Sequence, residues 1–194
     1  MFFDYRKAYS EYAHLAGAEI SYEITTTLQQ LCALRDPKLI IDLGSGWSSF
    51  ALRMMCPKAI VWSVDTDVGW LRKTLEFCRK HHVQDDGRFV MIDRFEQELH
   101  SLEGQADIVL HDMGRTPIRI ERLPMALNLV KPGAVIVLDD MHKGVLVGPT
   151  MEILQSRPEF TVFDQYGKPL DVSNTPVLDL EDRFAWTAIR SLIP

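Results

Sequence analysis

Asp42, Gly44, Ser45 and Gly46 stand within five positions of one another, where the apolar run Leu39-Ile-Ile-Asp-Leu43 gives way to a helical pattern. Neither glycine carries a Cβ, so the backbone there can pass close to a ligand. The helix that follows presents unpaired N–H groups at the same point. A glycine turn of this kind at the carboxyl end of a strand is where open α/β sheets bind nucleotide-like ligands. Asp65 follows about twenty residues after the turn, the spacing at which a strand-end carboxylate accepts hydrogen bonds from ribose hydroxyls. Asp67 reads as the cap of the next helix.

Other acidic residues stand at the same kind of place. Asp93 follows Val-Met-Ile, Asp112 follows Val-Leu-His, and Asp139 and Asp140 follow Val-Ile-Val-Leu. In a parallel sheet these ends lie along one edge. Helix capping explains any one of them. The set is better explained by a ligand-binding edge, because clustered carboxylates repel unless ligands or cations answer them. His142 is a candidate general base, since its ordinary pKa lies near neutrality; the competing reading is a surface or helix-start histidine. His111 should face away from Asp112, because strand neighbours alternate faces. Arg115, Arg119 and Arg122 read as a solvated helix face.

These residues need a scaffold, and the apolar pattern supplies one. Residues 4–16 and 18–35 read as helices, the second with Ile20, Ile24, Leu28 and Leu31 on one face. Asp36-Pro37 stops it. Strands are expected at 38–43, 59–64, 88–92, 106–111 and 133–138, and helices at 48–56, 67–80, 119–130 and 145–156. Pro124 is an expected irregularity near the start of its helix. This alternation implies βαβ units and a parallel sheet. The strands are apolar throughout, as when both faces are covered. Residues 160–165 and 183–190 then read as two strands with only a loop between them, so they should pair antiparallel.

Composition narrows the classes. The 194 residues suffice for one domain, 1–194, with a real core. A net charge of −6 argues against a nucleic-acid partner. Cys32, Cys56 and Cys78 lack metal-type spacing and read as small buried thiols, which points to a reducing cytoplasm. No apolar run approaches the length of a membrane span, and Met-Phe-Phe-Asp-Tyr-Arg lacks a signal-peptide pattern.

From about Gly17 to Ile193 the chain resembles the class I S-adenosylmethionine-dependent methyltransferases. The likeness rests on Asp42-Leu-Gly-Ser-Gly46, Asp65, Ala106-Asp-Ile-Val-Leu-His-Asp112, Leu129-Val-Lys-Pro-Gly-Ala-Val-Ile-Val-Leu-Asp139 and the terminal strand pair. It implies a Rossmann-like, doubly wound seven-stranded sheet of order 3-2-1-4-5-7-6, the last strand antiparallel, with two N-terminal helices. It implies that Gly44, Ser45 and Gly46 face the methionine and ribose of the cofactor. Asp42 would help hold the cofactor's amino group, Asp65 its ribose hydroxyls and Asp93 its adenine, with Asp112 beside the sulfonium. A nicotinamide-dependent dehydrogenase is the rival, but its fingerprint needs a third glycine, and Trp47-Ser48-Ser49 follows Gly46 instead.

Asp112, Asp139 and Asp140 further resemble the Mg²⁺ ligands of the catechol and caffeoyl-CoA type O-methyltransferases, with Asp140 in place of their asparagine. A metal there would lower the pKa of a hydroxyl acceptor. Arg115 stands where that group has a lysine; it is a poor base and suits an anionic substrate group instead. The expected function is therefore methyl transfer to a small-molecule hydroxyl, with Mg²⁺ at Asp112, Asp139 and Asp140. The alternatives are a metal-independent N- or O-methyltransferase with His142 as base, or a catalytically silent cofactor-binding module serving a partner. The aromatic N-terminal segment, 1–35, is either a lid or a packed helix pair, the latter against the sheet or a homodimer partner. Trp47 either lines the pocket or packs the core.

Overall fold

The computed structural model describes residues 3–16, 22–83, 87–173 and 185–192. Seven strands form one sheet: β1 (Leu39–Leu43), β2 (Ile60–Asp65), β3 (Phe89–Met91), β4 (Ala106–His111), β5 (Val130–Leu138), β6 (Phe160–Phe163) and β7 (Trp186–Arg190). Their order is 3-2-1-4-5-7-6. The first five pair in parallel, whereas β7 runs antiparallel to both β5 and β6. This is the expected topology. The loop expected before β7 and its start at Arg183 lie partly outside the described residues, as do Gly17, the first residues of the second expected helix, and Ile193.

The helices are α1 (Tyr5–Ala16), α2 (Glu23–Arg35), α3 (Trp47–Met55), α4 (Val68–Lys80), α5 (Ile92–Phe95), α6 (Leu99–Leu102), α7 (Thr116–Leu129) and α8 (Gly144–Gln155). Successive strand residues point to opposite faces. Ile41, Val109 and Ile136 therefore pack on one side with residues such as Leu123, Val147 and Met151 of α7 and α8. Their neighbours Ile40, Ile108 and Val135 pack on the other with Leu28 of α2 and Leu52 of α3. Both faces are dry, which is why the strands read as unbroken apolar runs.

Two starts differ from expectation. Helix α7 begins at Thr116, three residues before the expected Arg119, with Pro117 in its first turn. A proline there is preorganised for a helix and sacrifices only an N–H that would be unpaired anyway. Strand β5 begins at Val130 and bulges through Lys131-Pro-Gly133, so the register with β4 shifts between Ala106 and Ile108. The bulge directs Lys131 onto Asp107, whose other oxygen accepts from the backbone N–H groups of Lys38 and Leu39 at 2.8 and 2.9 Å. This cluster pins the amino ends of β1, β4 and β5. The one-turn helices α5 and α6, joined by a 3₁₀ turn, carry no periodic apolar face long enough to read from sequence.

The N-terminal helix packs. Ala8, Tyr12 and Ala16 repeat every fourth residue and are buried against Trp47, Phe50 and Phe77 of α3 and α4. The Tyr12 hydroxyl lies 2.9 Å from that of Thr74. In the structure α1 packs against α3 and α4. Trp47 belongs to the same cluster, is 3% exposed, and donates from Nε1 to Thr25 Oγ1 at 2.8 Å. It is a core residue rather than a pocket wall.

Candidate active site

Register places the acidic edge. Leu43 pairs with both Val64 and His111, and His111 pairs with Leu138. The next residue in each strand segment is therefore Gly44, Asp65, Asp112 and Asp139, level across the sheet. Gly44, Asp65 and Asp112, but not Asp139, line a cavity of about 580 Å³, within the range of small-molecule sites. Gly44 and Ser45 line it from the turn after β1. Asp65, Thr66, Asp67, Val68 and Trp70 line it from the end of β2 and the start of α4. Asp112, Gly114, Arg115 and Ile118 close it from the segment after β4.

Gly44 is required by geometry. Its φ is +119°, and an added Cβ would lie 2.7 Å from the carbonyl carbon of Asp112. The turn is tied down by Gly44 N–H to Val64 O at 2.8 Å and by Asp112 N–H to Leu43 O at 2.7 Å. At Gly46 the nearest atoms to an added Cβ are Trp70 Nε1 at 3.4 Å and Tyr12 Oη at 3.6 Å, so no backbone contact excludes a side chain.

The Asp65 carboxylate organises the cavity wall. One oxygen accepts from Ser45 N–H at 2.9 Å and the Ser45 hydroxyl at 3.0 Å. The other accepts from Thr66 N–H at 2.7 Å and Asp67 N–H at 3.0 Å. Burial pushes its carboxyl above the ordinary value, and the backbone N–H of Asp67 and the Ser45 hydroxyl pull against that. Asp67 caps α4 as expected, accepting from Gly69 N–H at 2.7 Å and Trp70 N–H at 3.0 Å. Trp70, one turn into α4, gives the cavity an indole wall that no motif reading singled out.

Asp42 and Asp93 lie elsewhere. Asp42 is fully buried beneath the turn. Its carboxylate accepts from the Ser49 hydroxyl at 2.5 Å and from Ser48 at 3.1 Å, joining β1 to the first turn of α3. Burial raises its pKa to about 7 against the pull of those hydroxyls. Asp93, in the one turn of α5, is exposed and outside the cavity lining. The strand before it ends at Met91, so Asp93 turns off the edge.

The strand ends of β4 and β5 carry the largest surprise. Arg119, expected on a solvated face, points inward from the first turn of α7, with its side chain only 11% exposed. Its Nη2 forms an ion pair with Asp112 Oδ1 at 2.5 Å, and its Nη1 donates to Asp140 Oδ2 at 2.9 Å. Nη2 also donates to the carbonyl of Asp112 at 3.0 Å. Lys143 pairs with Asp140 as well. Burial acts to raise the Asp140 carboxyl, but Lys143 and Arg119 outweigh it and hold the group below its ordinary range. Burial, then the charge of Asp140, pushes Asp139 up to about 6. Among the described residues, no three His, Cys, Asp or Glu side chains form a group that could hold a metal ion. The expected set of Asp112, Asp139 and Asp140 does not fit one: two of its carboxylates are turned onto a guanidinium.

His111 faces away from the edge, as expected. It is buried, its Nε2 lies 2.7 Å from the carbonyl of Arg119, and burial lowers its pKa to about 4. It is therefore the neutral ring with Nε2–H donating. Nε2 of His142 lies 3.8 Å from Asp140 Oδ1, and the residue is outside the cavity lining. Arg115 precedes α7, exposed at the cavity rim.

This fold is shared with methyltransferases of known structure. Solved structures share it across nearly the whole chain. One is the O-methyltransferase TomG from Streptomyces achromogenes, in complex with S-adenosylmethionine: TM-score 0.69, 20% identity, covering 98% of this chain and 91% of that one. Another is an O-methyltransferase from Bacillus cereus bound to S-adenosylhomocysteine, with TM-score 0.67 and 13% identity over 97% and 91% of the two chains. A third is a methyltransferase from Podospora anserina, also bound to S-adenosylhomocysteine, with TM-score 0.66 and 17% identity over 96% and 86%. No protein-family model and no curated relative matches the sequence.

Proposed function

We propose that the protein is an S-adenosylmethionine-dependent methyltransferase acting on a hydroxyl of a small molecule. The observation that carries this reading is the single cavity wall made by Gly44, Ser45, Asp65 and Asp112 at the carboxyl edge of the sheet. Its donor set suits the cofactor. Asp65 presents a carboxylate to ribose hydroxyls, and Val68 and Trp70 present apolar surface to an adenine. Gly44 lets the turn pack directly on the Asp112 backbone; burial and the charge of Asp139 push the Asp112 carboxyl well above its ordinary range, and its oxygens are the acceptors nearest a sulfonium in this cavity. When bound, S-adenosylmethionine supplies an electrophilic methyl group.

What remains for the chain is alignment and proton removal. Ile118 and Arg115 border the acceptor side of the cavity. Arg115 keeps its proton, so its role is to hold an anionic group of the acceptor. His142 lies beyond the cavity lining, 3.8 Å from Asp140 Oδ1, and is the general base of this proposal for an acceptor whose hydroxyl extends past the rim to its ring. The described residues include no helix long and apolar enough to cross a membrane. The three cysteines are free and buried, which suits a reducing cytoplasm. The direct test is release of S-adenosylhomocysteine in the presence of hydroxylated acceptors. Turnover with hydroxyl but not with matched methoxy compounds supports the reading; transfer confined to amine acceptors overturns the hydroxyl assignment.

A further inference from the structure

The acidic edge holds three neighbouring carboxylates, and their balance of charge comes from the chain itself. Arg119 Nη2 lies 2.5 Å from Asp112 and Nη1 lies 2.9 Å from Asp140. The same guanidinium donates to the carbonyls of Asp112 and Gly114 at 3.0 and 3.3 Å, and its Nη1 lies 3.5 Å from that of Asp139. A guanidinium is planar, always charged, and presents several donors in fixed directions. It thus joins the ends of β4 and β5 as a multidentate cation would.

Two further features hold it there. Asp140 adopts φ +61°, a left-handed conformation that costs a non-glycine residue strain; in it the carboxylate reaches back to Arg119 and Lys143. The backbone carbonyl of Arg119 is held by His111 Nε2 at 2.7 Å, which fixes the first turn of α7 against β4.

We infer that Arg119 is the resident cation of this edge, standing where a divalent metal would otherwise bridge Asp112 and Asp140, and that it positions Asp112 in the cavity. The positioning role rests on the methyltransferase reading; the claim about cations does not. Arg119 acts through Asp112 and is a positioning residue.

The test is a titration of Mn²⁺ alone into the full chain, followed by calorimetry and by thermal unfolding. The wild-type protein should show no saturable Mn²⁺ binding and no rise in Tm. Arg119→Ala removes the cation and leaves the carboxylates repelling, so it should gain Mn²⁺ binding and a Tm that rises with Mn²⁺. Arg119→Lys should remain insensitive to Mn²⁺. Arg119→Gln, closer in size, serves if the alanine variant fails to fold. In turnover, Arg119→Ala should lose kcat on the order of a hundredfold and bind S-adenosylmethionine more weakly, since Asp112 lines the cofactor cavity and misplacing a group there by about 1 Å has that cost. Arg119→Lys should restore part of it, and EDTA should leave the wild-type rate unchanged. Saturable Mn²⁺ binding by the wild-type chain would overturn the inference, as would EDTA inactivation reversed by Mn²⁺. A folded neutral variant that gains no Mn²⁺ binding would do the same. Absence of S-adenosylmethionine binding would instead sink the methyltransferase reading and leave the Mn²⁺ result standing on its own.

Discussion

Gly44 and Asp112 meet backbone to backbone: a Cβ built on Gly44 would lie 2.7 Å from the carbonyl carbon of Asp112 and 2.9 Å from the amide nitrogen of Met113. The turn after β1 and the segment after β4 are thus locked together, and both line the cavity. Gly44→Ala combines a left-handed φ with overpacking against backbone that cannot swing aside. It should destabilise the fold by about 3 kcal/mol or more. Gly46→Ala meets only side-chain atoms at ordinary distance and should leave stability nearly unchanged. Urea unfolding of the two variants checks this contrast; equal losses would contradict it.

Asp65 should matter twice. Its replacement by alanine strands four donors, on Ser45, Thr66 and Asp67. A loss of about 1–3 kcal/mol in stability follows from leaving buried donors unpaired. Two hydrogen bonds to a charged acceptor should also vanish from the cofactor complex, weakening it by about a hundredfold. Calorimetry with S-adenosylmethionine on folded Asp65→Ala measures the second effect, and unaltered affinity would remove Asp65 from the site.

Two buried groups act on the pH dependence of stability in opposite senses, and Asp65 and Asp139, also raised by burial, act in the same sense as the first. Asp42, raised to about 7 in the fold, binds a proton more tightly folded than unfolded. Its contribution is therefore fully present below about pH 4 and is lost as pH rises towards 7. His111, lowered to about 4, is held neutral. Its contribution is present above about pH 6.5 and is lost as pH falls towards 4. The two partly cancel in the wild type between these limits. Relative to the wild type, Asp42→Asn should make stability rise more, or fall less, from about pH 5 to about pH 7, and His111→Gln should make it fall more. Parallel slopes for the two variants in urea titrations would contradict these assignments.

His142→Gln should lower kcat by about a hundredfold or more, the usual contribution of a general base, without changing S-adenosylmethionine affinity. The acidic limb of the rate profile should disappear with it. An unchanged pH–rate profile would exclude His142 from proton transfer.

The sheet was legible because both its faces are buried: Ile40 and Ile41, Ile108 and Val109, Val135 and Ile136 are pairs in which neither side chain can be polar. The strand-end acids were legible for the same reason, as the first polar residues after dry strands. What each carboxylate touches was not. Asp42 turns inward because Ser48 and Ser49 lie one helical turn away with hydroxyls to donate, a detail of rotamer rather than spacing. Asp93 leaves the edge because β3 ends one residue earlier than its apolar pattern. Arg119 was misread through the helix start. Pro117 places the first turn at Thr116, and that turn aims Arg119 at the strand ends instead of at solvent. The proline was a usable signal. The partners of Arg119 come from β4 and the turn after β5, and only the assembled sheet brings them together.

The central claim is that the wall formed by Gly44, Ser45, Asp65 and Asp112 binds S-adenosylmethionine. Isothermal titration of S-adenosylmethionine into the wild-type chain tests it most directly. Saturable one-to-one binding that is lost in folded Asp65→Ala is the expected result. A correctly folded wild-type protein that gives no binding heat over a range of temperatures, and no rise in Tm with the ligand, would contradict it.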